Sequence, residues 1–232
     1  MYSKQGEYNL MNRIDIPVAH STGSVLSVNK LVKNTYMLLS ATLVFSAVMA
    51  IASIAVQPSG TISFVCLIGG MLLGIFVLPK AANSAKGIGV IFLITGLLGF
   101  SIGPMLTHYL AMPNGPQIVG TAFGGTGIIF LALSGYALTS KRDFNFMGGF
   151  LFAGMIVIIL AMVANMFLAL PGLALALSAA VILLMSGFIL FDTSRMINGG
   201  ETNYIHATFS LYLTIFNIFI HLLHLLGVMS DD

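Results

Sequence analysis

The apolar stretch KNTYMLLSATLVFSAVMAIASIAV, residues 33–56, carries no charged residue after its first lysine. A helix needs about 20 largely apolar residues to cross the hydrocarbon core of a bilayer, where lipid offers no partner for backbone polar groups. This stretch is long enough, and the turn-forming residues 57–60 (QPSG) end it. It therefore predicts a first membrane-spanning helix.

Six further stretches of this kind follow, separated by polar residues, glycine or proline. Soluble domains carry about 25% Asp, Glu, Lys and Arg. This chain has 7% charged and 58% hydrophobic residues, so lipid is its expected solvent. The sequence thus predicts an all-α fold, a polytopic membrane helical bundle of seven transmembrane helices. The predicted helices are residues 33–56, 61–78, 87–110, 117–140, 146–168, 172–195 and 204–228.

The basic residues indicate the direction of each crossing, because cytoplasmic segments beside membrane helices collect Lys and Arg. With seven spans, all nine fall on one side, in the amino-terminal segment and in the second, fourth and sixth connections. The amino terminus is therefore predicted to be cytoplasmic and the carboxyl terminus external. These basic residues are Lys4, Arg13, Lys30, Lys33, Lys80, Lys86, Lys141, Arg142 and Arg195.

This topology divides the chain into a flexible cytoplasmic tail over residues 1–32, a seven-helix transmembrane domain over 33–228, and a short external tail over 229–232. The amino-terminal tail is polar and without strong periodicity, which is typical of a disordered segment. Charge tests the last crossing only weakly, so a seventh segment that enters the membrane and returns is an alternative. The net charge of +2 gives no reason to expect nucleic-acid binding.

Glycines recur at short steps in two spans, at Gly96, Gly99 and Gly103 in the third and at Gly120 and Gly124 in the fourth. Small residues let helix backbones approach closely inside a membrane, where hydrophobicity does not drive association. We expect both sets to be helix-packing surfaces.

Asp192 is the acidic residue in or beside a predicted span, at the end of the apolar run 182–191. Ionisable groups are costly in lipid, so this carboxyl is a candidate for function. Arg195 follows three residues later on the same helix face, which favours an interfacial ion pair. A role in gating is the alternative, because burial would make the charge of Asp192 sensitive to pH.

The last span carries a polar stripe, in which Ser210, Thr214, Asn217, His221 and His224 recur at steps of three and four residues. If the stripe faces the bundle interior, it lines a water-filled or proton-conducting path whose histidines titrate near neutral pH. The alternative is that the hydroxyls and the amide bind neighbouring helices while the histidines approach the outer interface.

No metal site, cofactor or catalytic constellation is expected. His221 and His224 have the three-residue step seen in metal sites, but no acidic or thiol partner is near them in sequence. A phosphate-binding GxxxxGK[ST] loop and the HExxH motif are absent. The chain is therefore predicted not to be an enzyme.

The stretch FDTSRMINGGETNYIHATFSLYLTIFNIFIHLLHLLG, residues 191–227, resembles the end of proteins of the transmembrane Bax inhibitor motif family. NTYMLLSATLVFSA at residues 34–47 and LLGFSIGPMLTHYL at residues 97–110 are similar to other parts of that family. The segment GGETNYI, residues 199–205, is most similar to the YccA-like bacterial branch, whose members modulate the FtsH protease. The resemblance implies a bacterial inner membrane.

Two functions are implied by this resemblance. The YccA-like branch implies a regulatory protein that binds an FtsH-type membrane protease complex, which engages the cytoplasmic tail. The wider family implies a pH-sensitive calcium or proton leak, closed by two hydrogen-bonded aspartates. Asp192 matches the first aspartate, but Thr214 stands at the second position and cannot supply the coupled titration of two acids. We therefore expect the regulatory function, with the leak gated near Asp192 as the alternative.

Overall fold

The computed structural model describes residues 19–140 and 142–230, with side chains from Leu26 onward. Residues 1–18, 141 and 231–232 lie outside the described part. The described part contains helices and turns and no strand. Its elements are α1 (Ala19–Val56), α2 (Gly60–Leu72), a π-helical turn (Leu73–Val77), α3 (Leu78–Ala81), α4 (Lys86–Ser101), α5 (Gly103–Leu110), α6 (Gly115–Ser140), a 3-10 turn (Asn145–Met147), α7 (Gly148–Leu168), α8 (Pro171–Ile197) and α9 (Tyr204–Ser230).

Seven helical segments are long and apolar enough to cross a membrane, which confirms the predicted number. The second combines α2, the π turn and α3, and the third combines α4 and α5. From the second segment onward, the first and last residues of these helical segments lie close to the predicted ends of the spans. The first helix differs, because it begins at Ala19 and makes residues 19–32 of the predicted tail helical. Leu31 and Val32 pack against the core, which favours this extension.

The remainder of the predicted amino-terminal tail, residues 1–18, lies outside the described residues, as do Asp231 and Asp232 of the predicted external tail. The last span is a single unbroken helix, α9. At 1.5 Å per residue it is about 40 Å long, more than the ~30 Å hydrocarbon core. An unbroken helix of this length does not return to the side from which it entered, so the re-entrant alternative is not supported.

Prolines set the interruptions within the second and third spans. Pro79 lies just after the π-helical turn, and a residue without a backbone N–H cannot continue the helical hydrogen-bond pattern. Pro104 lies in the first turn of α5, directly after the break at Ile102. Pro171 opens α8, after α7 ends at Ala169 in a left-handed conformation with φ of 50°. Each interruption therefore has a local cause in the sequence.

The bundle is built around α9, which packs against α1, α4, α6 and α8. In the apolar 18-residue window of each span, 44% of the window is buried for α9, the largest share. The corresponding share is 6% for the fifth span, which contains α7. Consequently α9 is the central helix, and α7 lies at the periphery, packed chiefly on α8. The central core includes Leu39, Ile94, Leu98, Leu211 and Ile218, all buried.

The two glycine sets have different outcomes. A methyl group added at Gly96 would come within 2.7 Å of the Phe45 ring, and one added at Gly99 or Gly103 would overlap α1. These three glycines let α4 and α5 approach α1 closely, as predicted. The prediction for Gly120 and Gly124 is wrong, because a methyl group at either position would meet open space.

Candidate functional site

Asp192 lies in the last turns of α8, facing α9, and its side chain is 7% exposed. Its Oδ2 atom accepts a hydrogen bond from the Ser210 hydroxyl of α9 at 2.5 Å. Its neighbours Thr193 and Ser194 are fully buried. The residue is therefore a buried carboxyl held between two helices, and not a group at an open interface.

The predicted ion pair between Asp192 and Arg195 is not formed. Arg195 instead lies 3.9 Å from the Glu201 carboxylate, donates to the Gly200 carbonyl at 3.0 Å, and covers the Phe191 ring at 5.6 Å. Asp192 is buried, whereas Arg195 is half-buried and directed to the connection that follows α8. Among the described residues, the partner of the carboxyl is a neutral hydroxyl.

The residues of the polar stripe of α9 hydrogen-bond to different partners. Thr214 is buried. Asn217 donates its amide to the Leu213 carbonyl of its own helix at 2.8 Å. The two ends of the stripe, by contrast, both reach α8: Ser210 binds Asp192, and the histidines reach Ser178.

The histidines converge on one hydroxyl. Nδ1 of His221 lies 3.2 Å, and Nδ1 of His224 2.9 Å, from Oγ of Ser178. That hydroxyl also lies 3.1 Å from the Ala174 carbonyl, to which it donates. Ser178 is 14 residues from Asp192, hence about 21 Å along α8. Ser178 could not be singled out from the sequence, because a lone serine in an apolar helix carries no distinguishing signal.

Beside the histidines lies an open groove of about 340 Å³ between α5, α7, α8 and α9. We call it the Met–His groove, after the side chains that give it its chemistry. Asn165 borders it and also accepts a hydrogen bond from the Leu170 backbone at the end of α7. The groove is lined by Met105, Met162, Asn165, Met166, Ala174, Leu177, Ser178, Ile220, His221 and His224.

Side-chain hydrogen bonds join three connections at the other end of the bundle. The Ser194 hydroxyl accepts from the Phe144 backbone at 2.9 Å, which fixes the connection between α6 and α7 against α8. Asn203, before α9, donates to the Ala82 carbonyl at 3.1 Å and to Asn83 at 2.8 Å, which fixes the connection between α3 and α4. These three connections therefore share one end of the molecule.

A serine with a catalytic sequence pattern lies inside the third span. Residues 99–103 read GFSIG and match G-x-S-x-G, which in hydrolases places serine on a sharp turn between strand and helix. Here Ser101 ends the helix α4, and its hydroxyl donates to the Leu98 carbonyl at 2.7 Å. The turn between strand and helix that accompanies this motif in hydrolases is therefore not present at Ser101.

These features define a class of protein: a polytopic helical membrane bundle whose last two spans are joined by a buried carboxyl and by a histidine pair. The family described as "Inhibitor of apoptosis-promoting Bax1" matches residues 28–231. The chain belongs to this Bax inhibitor family.

Relatives cover nearly the whole chain. An "Uncharacterized membrane protein" of Vibrio cholerae is 50% identical over 207 residues, 89% of this chain and 93% of the relative. "Modulator of FtsH protease YccA" of Escherichia coli K12 is 47% identical over 223 residues, 96% of this chain and 100% of the relative. "Inner membrane protein YccA" of Escherichia coli O6:H1 has the same identity and coverage. Similarity to the YccA-like branch is therefore confirmed.

Proposed function

We propose that this chain is a non-catalytic inner-membrane protein that binds and modulates an FtsH-type membrane protease. The observation that carries the proposal is the 47% identity, over almost the full length of both chains, to a protein named as a modulator of FtsH protease. A second relative is named as an inner membrane protein, which supports the location.

We further propose that the amino terminus is cytoplasmic and the carboxyl terminus external. Basic residues lie in or beside the connections joined by Ser194 and Asn203, among them Lys80, Lys86 and Arg142. Basic residues beside membrane helices favour the cytoplasmic side. The bundle end with these connections is accordingly assigned to the cytoplasm.

The same end offers the surface on which a cytoplasmic partner would act. Its connections are held to one another by side-chain hydrogen bonds, so they form a defined surface instead of three independent loops. Phe146, in the 3-10 turn, is 81% exposed there. Residues 1–18 precede α1, and we propose that the protease engages this segment.

The regulatory function is proposed ahead of the leak because the last two spans supply one carboxyl and not two. Asp192 binds a hydroxyl, and Thr214 occupies the position of the second aspartate. A sharp pH switch of the family type requires two interacting acids. The described residues do not provide that pair.

Co-purification with an FtsH-type protease, combined with a truncation, tests the proposal. Deleting residues 1–18 leaves the described helix α1 intact, unlike a deletion through residue 32. We expect the full chain to co-purify with the protease and to change its rate of substrate degradation. The truncated chain is expected to lose its own processing by the protease.

A matched control replaces residues 1–18 with an unrelated polar sequence of the same length. Restored processing in this variant would show that the protease needs only a segment to hold, whereas continued loss would show sequence-specific recognition. A full chain that neither co-purifies with the protease nor alters its activity would contradict the proposed function.

A further inference from the structure

The Met–His groove brings together a set of side chains that the sequence distributes over three helices. Met105 comes from α5, Met162 and Met166 from α7, and His221 and His224 from α9. No group of three or more His, Cys, Asp or Glu residues that could hold a metal occurs in the described part of the chain. Thioether sulfurs are metal ligands of a different kind, and the prediction of no metal site considered only acids and thiols.

The hydrogen bonds of Ser178 determine which imidazole nitrogens are available. A serine hydroxyl has one proton, which Ser178 can donate to the Ala174 carbonyl 3.1 Å away. In this arrangement the Ser178 oxygen accepts from both Nδ1–H groups, and we assign this tautomer to the two histidines. This leaves a lone pair on Nε2 of both His221 and His224, and no described residue hydrogen-bonds to either Nε2 atom.

Such an arrangement is the usual support of metal-binding histidines, which donate their second ring N–H to a nearby oxygen and so fix tautomer and ring orientation. Here one oxygen serves two imidazoles that lie three residues apart on α9. The two histidines are thereby held side by side at the wall of an open groove.

The chemistry of the ligands selects the cation. Neutral imidazoles and thioethers contribute no negative charge, so a divalent ion would remain uncompensated in a low-dielectric site. Thioether ligands select soft ions, Cu(I) among them. A soft monovalent cation matches the thioethers and leaves a smaller uncompensated charge than a divalent ion.

We propose that the Met–His groove binds Cu(I), or its redox-inert analogue Ag(I), through His221, His224 and the thioethers of Met105 and Met162. Ser178 positions the two imidazoles and does not itself bind the ion. The proposal goes beyond protease modulation and does not depend on it.

Titration of the full-length protein with Ag(I), in lipid nanodiscs and chloride-free buffer, tests the site by calorimetry. We expect one ion per chain, and the His221→Phe/His224→Phe double variant should abolish this binding. Ser178→Ala should weaken it by about 10- to 100-fold, the range for groups that orient metal ligands. Size-exclusion profiles identical to wild type establish that each variant is folded.

Matched controls remove the same residue types outside the groove. His108 is exposed on α5 and Met229 is 66% exposed near the end of α9, so His108→Phe and Met229→Leu should bind Ag(I) like wild type. The near-isosteric Met105→Leu/Met162→Leu variant should weaken binding while the fold is retained. Unchanged affinity in this variant or in the double histidine variant would overturn the proposal.

X-ray absorption of the protein loaded with Cu(I) under reducing, anaerobic conditions provides an independent measurement. Scattering from both nitrogen and sulfur at the metal is expected. A shell of oxygen or nitrogen alone, or displacement of Ag(I) by an equal concentration of Zn(II), would also overturn the proposal.

Discussion

Asn203 joins two parts of the molecule with one side chain, and its replacement gives a quantitative test of the connections described above. Its Oδ1 atom accepts from the Ile205 and His206 backbone N–H groups at 2.8 and 3.3 Å, which caps the start of α9. Its Nδ2 atom donates to Ala82 and Asn83 at 3.1 and 2.8 Å. The cap and the link to the connection between α3 and α4 are therefore separable.

The expected magnitudes follow from these two functions. Loss of an N-cap costs about 1 kcal/mol. Each of the other two hydrogen bonds contributes about 0.5–1.5 kcal/mol, with the partly exposed bond to Asn83 at the lower end. Asn203→Ala should therefore destabilise the fold by about 2–3 kcal/mol. Asn203→Ser keeps a cap but is too short to reach Ala82, so it should cost about 1–2 kcal/mol.

Thermal unfolding in detergent, followed by circular dichroism, measures the difference. At about 2–4 °C per kcal/mol, the midpoint should fall by roughly 4–12 °C for Asn203→Ala and by roughly 2–8 °C for Asn203→Ser. Asn145→Ala, at an exposed position in the 3-10 turn, serves as the control and should not shift it. A serine variant as stable as wild type would refute the link, and one as unstable as the alanine variant would refute the cap.

Three further predictions concern helix packing and the two polar contacts between α8 and α9, namely Asp192 with Ser210 and Ser178 with the two histidines. Gly99→Ala should destabilise the fold by about 1–3 kcal/mol, because the new methyl group overlaps the α1 backbone. Gly89→Ala, in the same helix, should not destabilise the fold and serves as the control. Chemical denaturation measures the stability of both variants. Calcium-loaded liposomes should show no acid-triggered flux with wild type or with Asp192→Asn, and a flux that this substitution removes would instead support the leak. Ser210→Ala removes the contact with Asp192, and Ser178→Ala removes the contact with the histidines, about 21 Å away along α8. The effects of the two substitutions on the unfolding midpoint should therefore add. A clear departure from additivity would show that the two contacts are coupled.

The seven spans could be predicted because lipid imposes a length and a composition on each crossing segment, and the turn residues between them are explicit. The start of α1 could not, since the prediction assigned residues 1–32 to a polar tail, whereas Leu31 and Val32 pack against the core. Hydropathy measures an average over a window. It does not show which single residues face a neighbouring helix.

The partners of the polar residues were less predictable for the same reason. Arg195 was assigned to Asp192 from helical spacing, but Gly199 has a positive φ of 78° and the chain turns back there. The turn brings Glu201 to Arg195, with the Glu201 backbone N–H donating to the Arg195 carbonyl at 3.1 Å. A partner supplied by chain reversal is not visible in the periodicity of one helix. The methionines of the Met–His groove illustrate the same limit, because they come from helices distant in sequence.

The contact between Asp192 and Ser210 bears directly on the choice between a regulator and a switch. A serine hydroxyl donates to an ionised carboxylate and can equally accept from a protonated one. The hydrogen bond at 2.5 Å can therefore persist in either protonation state of Asp192, whereas two facing carboxyls attract only when they share a proton. Separating α8 from α9 would also leave the carboxyl without its hydroxyl partner in an apolar environment, which opposes opening at any pH. A contact that persists in both protonation states holds α8 and α9 together at any pH, which is consistent with the proposed regulatory function and not with a pH-gated leak.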